Sequence, residues 1–358
     1  MGVGRGAVAQ VDPAFWTGRR VLLTGHTGFK GSWAALWLAR MGASVTGLAL
    51  APDQTPALYD LARVGEGITS RLADLRDPKA VAAALEGLEP EIVLHMAAQP
   101  IVRASVEDPV ATFAANVMGT AHLLDTLRGR TAPKALLVIT SDKVYANDDA
   151  GRPFREGDPL GGKDPYSASK AAAEIVTKSF ARSFFADTPV ATARGGNVIG
   201  GGDFSRDRLV ADIVRAVRAG EAVTLRHPEA TRPWQHVLDC LAGYLVYAQA
   251  LALRSDTPRA LNFGPRPGGA EVSVGELATL GVTALGGRPW THTPDPASLE
   301  AKALGIDASL AKTVLGFESR LDAPEAVRLT MDWYARQARG EDARALCLAQ
   351  IADYEARP

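Results

Sequence analysis

The sequence has 358 residues, of which 47% are apolar and 22% are charged, and its formal net charge is −1. This length predicts a large α/β domain with a smaller lobe, and the near-neutral charge gives no electrostatic reason to expect nucleic acid or an anionic membrane as a partner. The two cysteines, Cys240 and Cys347, lie far apart without metal-ligand spacing, so we expect no disulfide framework and no metal site.

Two absences bear on the expected location. Residues 1–10 are rich in Gly and Ala and lack the apolar run of a signal peptide. No stretch of about 20 apolar residues occurs, so a membrane span is not expected. Together they predict a cytoplasmic protein without a membrane partner.

Short apolar runs alternate with longer helical patterns from residue 19 onward. The predicted strands cover residues 21–24, 44–50, 68–72, 92–96, 135–140 and 190–194. The predicted helices cover residues 32–41, 78–85, 109–127 and 166–185. Continuous apolar strands separated by helices are typical of a parallel sheet with helices on both faces. The sequence therefore predicts an α/β fold with a Rossmann-type doubly wound parallel sheet.

The pattern changes after Asn197, where elements become shorter and Pro and Gly more frequent. We expect the Rossmann domain to cover residues 15–197, with some later segments returning to it. A smaller C-terminal α/β lobe is expected over residues 198–345, mainly to bind the substrate.

A glycine-rich turn joins the first predicted strand to the first helix. Gly25, Gly28 and Gly31 have the spacing G-x-x-G-x-x-G. Glycines permit a tight turn and let the backbone approach a pyrophosphate, which the helix N-terminus attracts. Because a strand precedes the glycines and a helix follows, a dinucleotide site is a better interpretation than a plain turn.

The end of the second predicted strand lacks the acidic residue that usually binds the adenosine ribose. The strand ends at Leu50 without a neighbouring Asp, Glu or Arg, and Asp53 comes a little late. NAD is therefore favoured over NADP, although this position secures neither. Asp74, after the third strand, is expected either to accept a hydrogen bond from adenine or to cap the helix that begins near Pro78.

Two segments carry the predicted chemistry. Tyr166 and Lys170 share one helix face, and the ammonium is expected to lower the pKa of Tyr166 toward neutrality. Such a tyrosine can take a proton from a sugar hydroxyl while hydride leaves the same carbon. Ser141, at the end of the fifth strand, can hydrogen-bond the same hydroxyl. Asp142 and Lys143 add an acid and a base that simple oxidation does not need; a solvated turn is the alternative.

These motifs, together with the run from Arg194 to Asp203, resemble the extended short-chain dehydrogenase/reductase family over about residues 19–334. Within that family the chain resembles the nucleotide-sugar 4,6-dehydratases. Its glycine loop from Thr24 to Trp33 and its Asp142-Lys143 pair are similar to those of the branch that acts on CDP-glucose. The missing acidic residue on the second strand departs from the family pattern.

The resemblance implies a reaction in which NAD oxidises CDP-glucose at C4, water is eliminated across C5 and C6, and hydride returns to C6. Tyr166 would deprotonate the 4-hydroxyl, Lys143 would take the C5 proton, and Asp142 would protonate the leaving 6-hydroxyl. Lys143 must be neutral to act as a base, and a purely electrostatic role is the alternative.

The resemblance also implies binding residues. The predicted cofactor contacts are Gly25, Thr27, Gly28, Phe29, Lys30, Gly31, Asp74, Leu75, Ala97, Ala98, Gln99, Asn116, Thr140, Tyr166 and Lys170. The predicted substrate contacts are Arg103, Ser105, Asn197, Arg208, Arg232 and His236. Of these, Asn197 and Arg232 are assigned to the pyrophosphate, and His236 is equally well explained as a structural residue. Arg206 and Arg226 are expected to be ordinary surface charges.

Several alternatives remain at this stage. In this family, helices such as 109–127 and 166–185 commonly pair across a two-fold axis, so a homodimer or higher homo-oligomer is expected; packing within the monomer is the alternative. A 4-epimerase, or a 4,6-dehydratase of a UDP-, dTDP- or GDP-sugar, is the second functional hypothesis. A non-catalytic dinucleotide sensor is the third, but such proteins usually lose Tyr166 or Lys170.

Overall fold

The computed structural model describes residues 10–130, 132–147, 149–266, 272–294 and 304–357. Residues 1–9, which belong to the segment predicted to lack a signal peptide, lie outside this range. Among the described residues, no helix combines the length and apolar character needed to cross a membrane. The predicted cytoplasmic location stays a prediction.

The strands and helices follow one another in the order expected for an α/β fold. The strands are β1 (Arg20–Thr24), β2 (Ser44–Ala49), β3 (Thr69–Leu72), β4 (Ile92–His95), β5 (Ala135–Ile139), β6 (Val190–Gly195), β7 (Asn197–Ile199), β8 (Thr224–Leu225), β9 (Thr231–Arg232), β10 (Trp234–His236), β11 (Ala260–Phe263), β12 (Val272–Ser273) and β13 (Thr291–His292). The helices are α1 (Pro13–Trp16), α2 (Phe29–Arg40), α3 (Leu58–Leu61), α4 (Pro78–Ala84), α5 (Val102–Glu107), α6 (Pro109–Phe113), α7 (Gly119–Leu127), α8 (Pro165–Phe184), α9 (Leu209–Ala219), α10 (Val237–Leu253), α11 (Val274–Ala284), α12 (Ser309–Leu315), α13 (Ala323–Ala338) and α14 (Ala343–Glu355).

Seven of the described strands form one sheet in the order β11-β6-β5-β4-β1-β2-β3, and every neighbouring pair is parallel. All residues of β4 and β5 are buried, because helices cover both faces of the sheet. The predicted Rossmann-type fold is confirmed. The strand order reverses between β1 and β4, which places the ligand crevice at the carboxyl ends of these strands.

The predicted helix over residues 109–127 is interrupted. It consists of α6, a π-helical turn from Ala114 to Met118, and α7. The π turn contains Asn116, whose side-chain amide hydrogen-bonds both the loop after β4 and helix α8. Hydrophobic periodicity does not reveal such a turn, which is typical of functional sites.

The smaller lobe is built from short strand pairs. β7 pairs with β10, β9 with β12, and β8 with β13. β11 lies beyond the predicted boundary at residue 198 and yet extends the main sheet next to β6. The division into domains at this residue stays a prediction.

Candidate active site

A cleft runs along the carboxyl edge of the sheet, between it and the short strands of the smaller lobe. Its walls come from the start of α2, the segment after β5, the start of α8, and the segments around β7, β8 and β9. The predicted site residues that line it are Phe29, Lys30, Arg103, Thr140, Ser141, Lys143, Tyr166, Asn197, Arg208 and Arg232.

The glycine turn has the geometry that a dinucleotide pyrophosphate requires. Gly25 has a φ of +78°, and a Cβ there would lie 2.8 Å from the backbone nitrogen of Ala97. A Cβ on Gly31 would lie 2.0 Å from the carbonyl oxygen of Gly25. Gly28 begins α2 without a side-chain cap. The backbone N–H groups at the start of α2 therefore have no side-chain cap, and these residues fit a bound dinucleotide.

At the adenosine end of this predicted site, the polar side chains either bond to the protein itself or are exposed. The Thr27 hydroxyl donates to the carbonyl of Leu50 at 2.8 Å, and Asp53 is exposed. Asp74 accepts three side-chain hydrogen bonds from Arg76, at 2.6, 2.9 and 3.0 Å. The capping alternative for Asp74 is wrong, because Asp77 caps α4. The adenine contact of Asp74 stays a prediction.

Asn116 supports the loop that follows β4. Its Oδ1 accepts from the backbone nitrogen of Gln99 at 2.8 Å, and its Nδ2 donates to the carbonyl of Gln99 and to the Ser169 hydroxyl. The loop Ala97–Gln99 is thereby fixed to α8. Leu75 is buried against Gly119. Whether these residues contact a cofactor stays a prediction.

A buried polar chain connects β1 to the π turn through His95. Thr24 Oγ1 accepts from the backbone nitrogens of Met96 and Ala97, so its own proton goes to His95 Nδ1 at 2.7 Å. The remaining N–H of His95 then donates to Thr120 at 2.9 Å. Burial lowers the pKa of His95 to about 3, with a further contribution from the Lys170 charge.

We expect acid to destabilise the protein through its buried histidines. His95 and His236 are fully buried, and both have their pKa lowered from 6.5 to about 3 by burial. Because only the unfolded chain takes up these protons, stability is complete above the unfolded pKa and falls as the pH drops toward the folded pKa. Each histidine should cost about 2 kcal/mol of unfolding free energy at about pH 5.

Denaturant unfolding at several pH values checks this expectation. Replacing His95 with Gln should flatten the acid dependence, whereas replacing the exposed His292 should leave it unchanged. An identical pH dependence for the His95 variant and the wild type would contradict the assignment.

The start of α8 is held by two side chains beneath the cleft. Asp164 caps the helix by accepting from the backbone nitrogen of Ser167 at 2.9 Å. The Ser105 hydroxyl accepts from the backbone nitrogen of Tyr166 at 3.1 Å and donates to the carbonyl of Val102. Ser105 is fully buried, so its hydroxyl positions Tyr166, and this argues against the predicted contact with substrate.

The environment of Tyr166 and Lys170 differs from the sequence expectation. Burial raises the pKa of Tyr166, opposed by a hydrogen bond with Ser141 and by the charge of Arg208. Lys170 Nζ donates to the carbonyl of Ile139 at 2.8 Å. Burial, with a smaller contribution from the nearby Lys30 charge, lowers the pKa of Lys170 to about 7. The predicted lowering of the Tyr166 pKa is therefore wrong for the protein alone.

Asp142 and Lys143 form a paired acid and base beside Tyr166. Ser141 accepts from the backbone nitrogen of Lys143 and donates to Asp142 Oδ1 at 2.9 Å. Lys143 Nζ lies 3.1 Å from the same oxygen and 3.3 Å from Asn197 Oδ1. Asp142 is buried, and its Oδ2 has no hydrogen-bond partner among the described residues. This geometry contradicts the alternative of a solvated turn.

The predicted phosphate-binding residues lie together in the cleft, but His236 does not. Arg208 donates to the carbonyl of Pro100, and Arg232 to the carbonyl of Thr231. His236 is fully buried and caps α10 through a hydrogen bond from the backbone nitrogen of Leu238. The interpretation of His236 as a structural residue therefore accounts for its position, and this argues against a contact with substrate.

One charged residue was misjudged from the sequence. Arg226, expected to be an ordinary surface charge, lines the cleft after β8. Its guanidinium lies 3.9 Å from Asp207, which also pairs with Arg103 at 3.4 Å. The only indication in the sequence that Arg226 lines the cleft is its position directly after a short apolar strand. Charged residues at exposed strand ends occupy the same kind of position, so this indication does not distinguish the two.

Comparison with known proteins places this geometry in a family. Residues 21–264 match the description NAD dependent epimerase/dehydratase family. The chain belongs to this family. The match confirms the predicted use of NAD.

Individual relatives refine the comparison. The chain is 42% identical to CDP-glucose 4,6-dehydratase of Salmonella typhimurium, over 96% of its own length and 98% of that protein. It is 28% identical to a probable dTDP-glucose 4,6-dehydratase of Sinorhizobium fredii, over 88% and 92%. The structure of Thermus thermophilus UDP-glucose 4-epimerase in complex with NAD has a TM-score of 0.76 at 27% identity, over 90% of this chain and 99% of that one. The predicted resemblance to nucleotide-sugar 4,6-dehydratases is confirmed.

Proposed function

We propose that this protein converts CDP-glucose to CDP-4-keto-6-deoxyglucose with loss of water. The observation that carries the proposal is the Asp142–Lys143 pair, joined to Tyr166 through the single hydroxyl of Ser141. An epimerase needs only Tyr166 and Lys170, whereas a dehydratase also needs an acid and a base at C5 and C6. The 42% identity to CDP-glucose 4,6-dehydratase supports the same choice.

The glycine turn and the first residues of α2, Gly25–Gly31, would hold the pyrophosphate of NAD. When bound, NAD supplies the hydride acceptor and later the hydride donor, and its cationic ring favours the Tyr166 phenolate. Tyr166 would take the proton of the sugar 4-hydroxyl, which Ser141 orients. Lys170, fixed to Ile139 and four residues after Tyr166 on the same helix face, would add positive charge there when protonated.

The elimination needs a neutral Lys143 and a protonated Asp142. Transfer of one proton across the 3.1 Å between them converts the ion pair into an amine and a carboxylic acid without exchange with solvent. The amine would take the C5 proton, and the acid would give its proton to the leaving 6-hydroxyl as water forms. Lys143 would later return its proton to C5.

The proton balance assigns a second role to Ser141. After one turnover Tyr166 holds the proton from the 4-hydroxyl, and Asp142 has lost the proton that left in water. Ser141 hydrogen-bonds both groups. A transfer through its hydroxyl would restore both for the next turnover.

The nucleotide end would be held by Arg208, Arg232 and Asn197. Arginine side chains offer planar pairs of donors that suit phosphate oxygens. Asn197 also accepts a hydrogen bond from Lys143. The same side chain would therefore contact both the substrate diphosphate and the Asp142–Lys143 pair.

Incubation with NAD and each of CDP-, UDP-, dTDP- and GDP-glucose tests the proposal. Mass spectrometry should show loss of one water from CDP-glucose in preference to the other three. A product of unchanged mass with inverted configuration at C4 would instead establish an epimerase. Dehydration of another nucleotide-glucose in preference would correct the base.

We also propose that the protein forms a homodimer through α5–α8. Large apolar side chains are exposed on these helices and the π turn between them: Val106, Val110, Phe113, Met118, Ile175 and Phe184. Exposed apolar surface of this kind favours association.

Replacing Val110, which is 78% exposed, with Glu tests this interface. The variant protein should sediment as a monomer. The same replacement of Leu253, exposed on α10, should leave a dimer, and a Val110 variant that remains dimeric would contradict this interface.

A further inference from the structure

A buried ion pair behind the cleft takes no part in the steps proposed above. Arg194 lies on β6 and Glu174 on α8, and each side chain is 5% exposed. Arg194 Nε donates to Glu174 Oε1 at 2.7 Å, and a second guanidinium nitrogen donates to Oε2. Such a pair is costly to bury unless its hydrogen bonds are well satisfied.

Both ends of the catalytic segment Ser141–Val144 are fastened to this ion pair. Thr140, just before the segment, donates from its hydroxyl to Glu174 Oε1 at 2.7 Å. Tyr145, just after it, accepts from Arg194 at 2.8 Å through its hydroxyl oxygen. The same hydroxyl donates to Asn262 Oδ1 at 2.6 Å. The ion pair therefore anchors side chains on both sides of the segment, and backbone bonds of Val144 and Ala146 to residues 159–161 hold its second end as well.

The ion pair also connects the two halves of the reaction. Tyr166, Lys170 and Glu174 are spaced four residues apart along α8 and so follow one face of the helix. Tyr166, the proposed base of the oxidation step, and Glu174, whose carboxylate anchors the segment Ser141–Val144, thus belong to one rigid helix. Movement of Tyr145 would shift Asp142 and Lys143 relative to Tyr166.

We propose that Tyr145 is a positioning residue for the elimination, acting through its bonds to Arg194 and Asn262. The inference rests on the proposed function of Asp142 and Lys143. Removing the Tyr145 hydroxyl leaves the end of the segment next to Lys143 held only by backbone bonds, while Thr140 still anchors the end next to Ser141. Oxidation at C4 should therefore survive, and removal of the C5 proton should slow.

Replacing Tyr145 with Phe isolates this effect. The ring keeps its stacking on Phe154, with centroids 4.9 Å apart. With CDP-glucose and NAD we expect kcat to fall by about ten- to a hundred-fold, the size of effect that a misplacement of about 1 Å produces. KM should stay nearly unchanged. Reduced nicotinamide should accumulate during turnover, visible in near-ultraviolet absorbance, because oxidation outruns elimination.

Tyr247→Phe is the matched control. Tyr247 is equally buried, and its hydroxyl donates to the carbonyl of Pro258, away from the cleft. Tyr145→Phe loses two buried hydrogen bonds and Tyr247→Phe loses one, so the melting temperature is expected to fall in both and somewhat more in Tyr145→Phe. Only Tyr145→Phe should accumulate reduced cofactor. Arg194→Lys, which keeps the charge beside Glu174 but not the guanidinium fork, is a second variant expected to do the same.

The outcomes separate the two proposals. If the wild type dehydrates CDP-glucose but Tyr145→Phe turns over without accumulating reduced cofactor, the positioning role is wrong and the proposed function stands. A lower kcat that matches Tyr247→Phe would likewise overturn the positioning role. If the wild type dehydrates no nucleotide-glucose, the proposed function fails, and the inference fails with it.

Discussion

Replacing Tyr166 with Phe is expected to lower kcat with CDP-glucose by about 10²–10⁴-fold, the usual contribution of a positioned general base. The Tyr166 hydroxyl is the group that would take the 4-hydroxyl proton, and neither Lys170 nor Ser141 replaces it. Lys170 is directed at the carbonyl of Ile139, and Ser141 is directed at Asp142. The phenyl ring keeps its packing, so stability should change by no more than about 1 kcal/mol.

Absorbance of the reduced nicotinamide distinguishes this variant from the others. Tyr166→Phe should produce neither product nor reduced cofactor, because it blocks the first step. Tyr145→Phe should produce reduced cofactor and little product, because it slows the second step. Tyr247→Phe should resemble the wild type. Turnover by Tyr166→Phe at the wild-type rate would show that another group removes the proton.

The fold was predictable because it depends on patterns that are local in the sequence. The apolar runs of β4, which ends in His95, and of β5 predict strands buried on both faces, and the structure has them there. The glycine turn is equally local, since Gly25 has a positive φ and a Cβ on Gly31 would meet the carbonyl of Gly25 six residues earlier. Neither required knowledge of distant neighbours.

The supporting residues were not predictable because their roles depend on distant neighbours. Ser105 was placed at the substrate, but its hydroxyl accepts from Tyr166, 61 residues later. Tyr145 has its partners at Arg194 and Asn262, 49 and 117 residues away. A polar residue near a motif is equally compatible with binding a ligand and with holding the motif. Burial decides between the two, and burial follows from the packed structure.

Lys143 tests the elimination most directly, because two replacements separate its charge from its basicity. Lys143→Met removes both, whereas Lys143→Arg keeps a positive charge beside Asp142 but cannot give up a proton in a protein. If Lys143 is the base, both variants should lose exchange of the C5 proton with solvent by about 10²-fold or more. Deuterium incorporation at C5 of the product in D₂O measures this exchange.

The arginine variant decides what the ion pair does. Lys143 Nζ lies 3.1 Å from Asp142 and 3.3 Å from Asn197, so a cation there could act only by stabilising negative charge that develops during elimination. In that case Lys143→Arg would retain most of the C5 exchange and only Lys143→Met would lose it. Loss in both variants, with accumulation of reduced nicotinamide, requires a neutral amine at position 143. The proton that leaves this amine must then reside on Asp142, whose Oδ1 lies 3.1 Å from the amine.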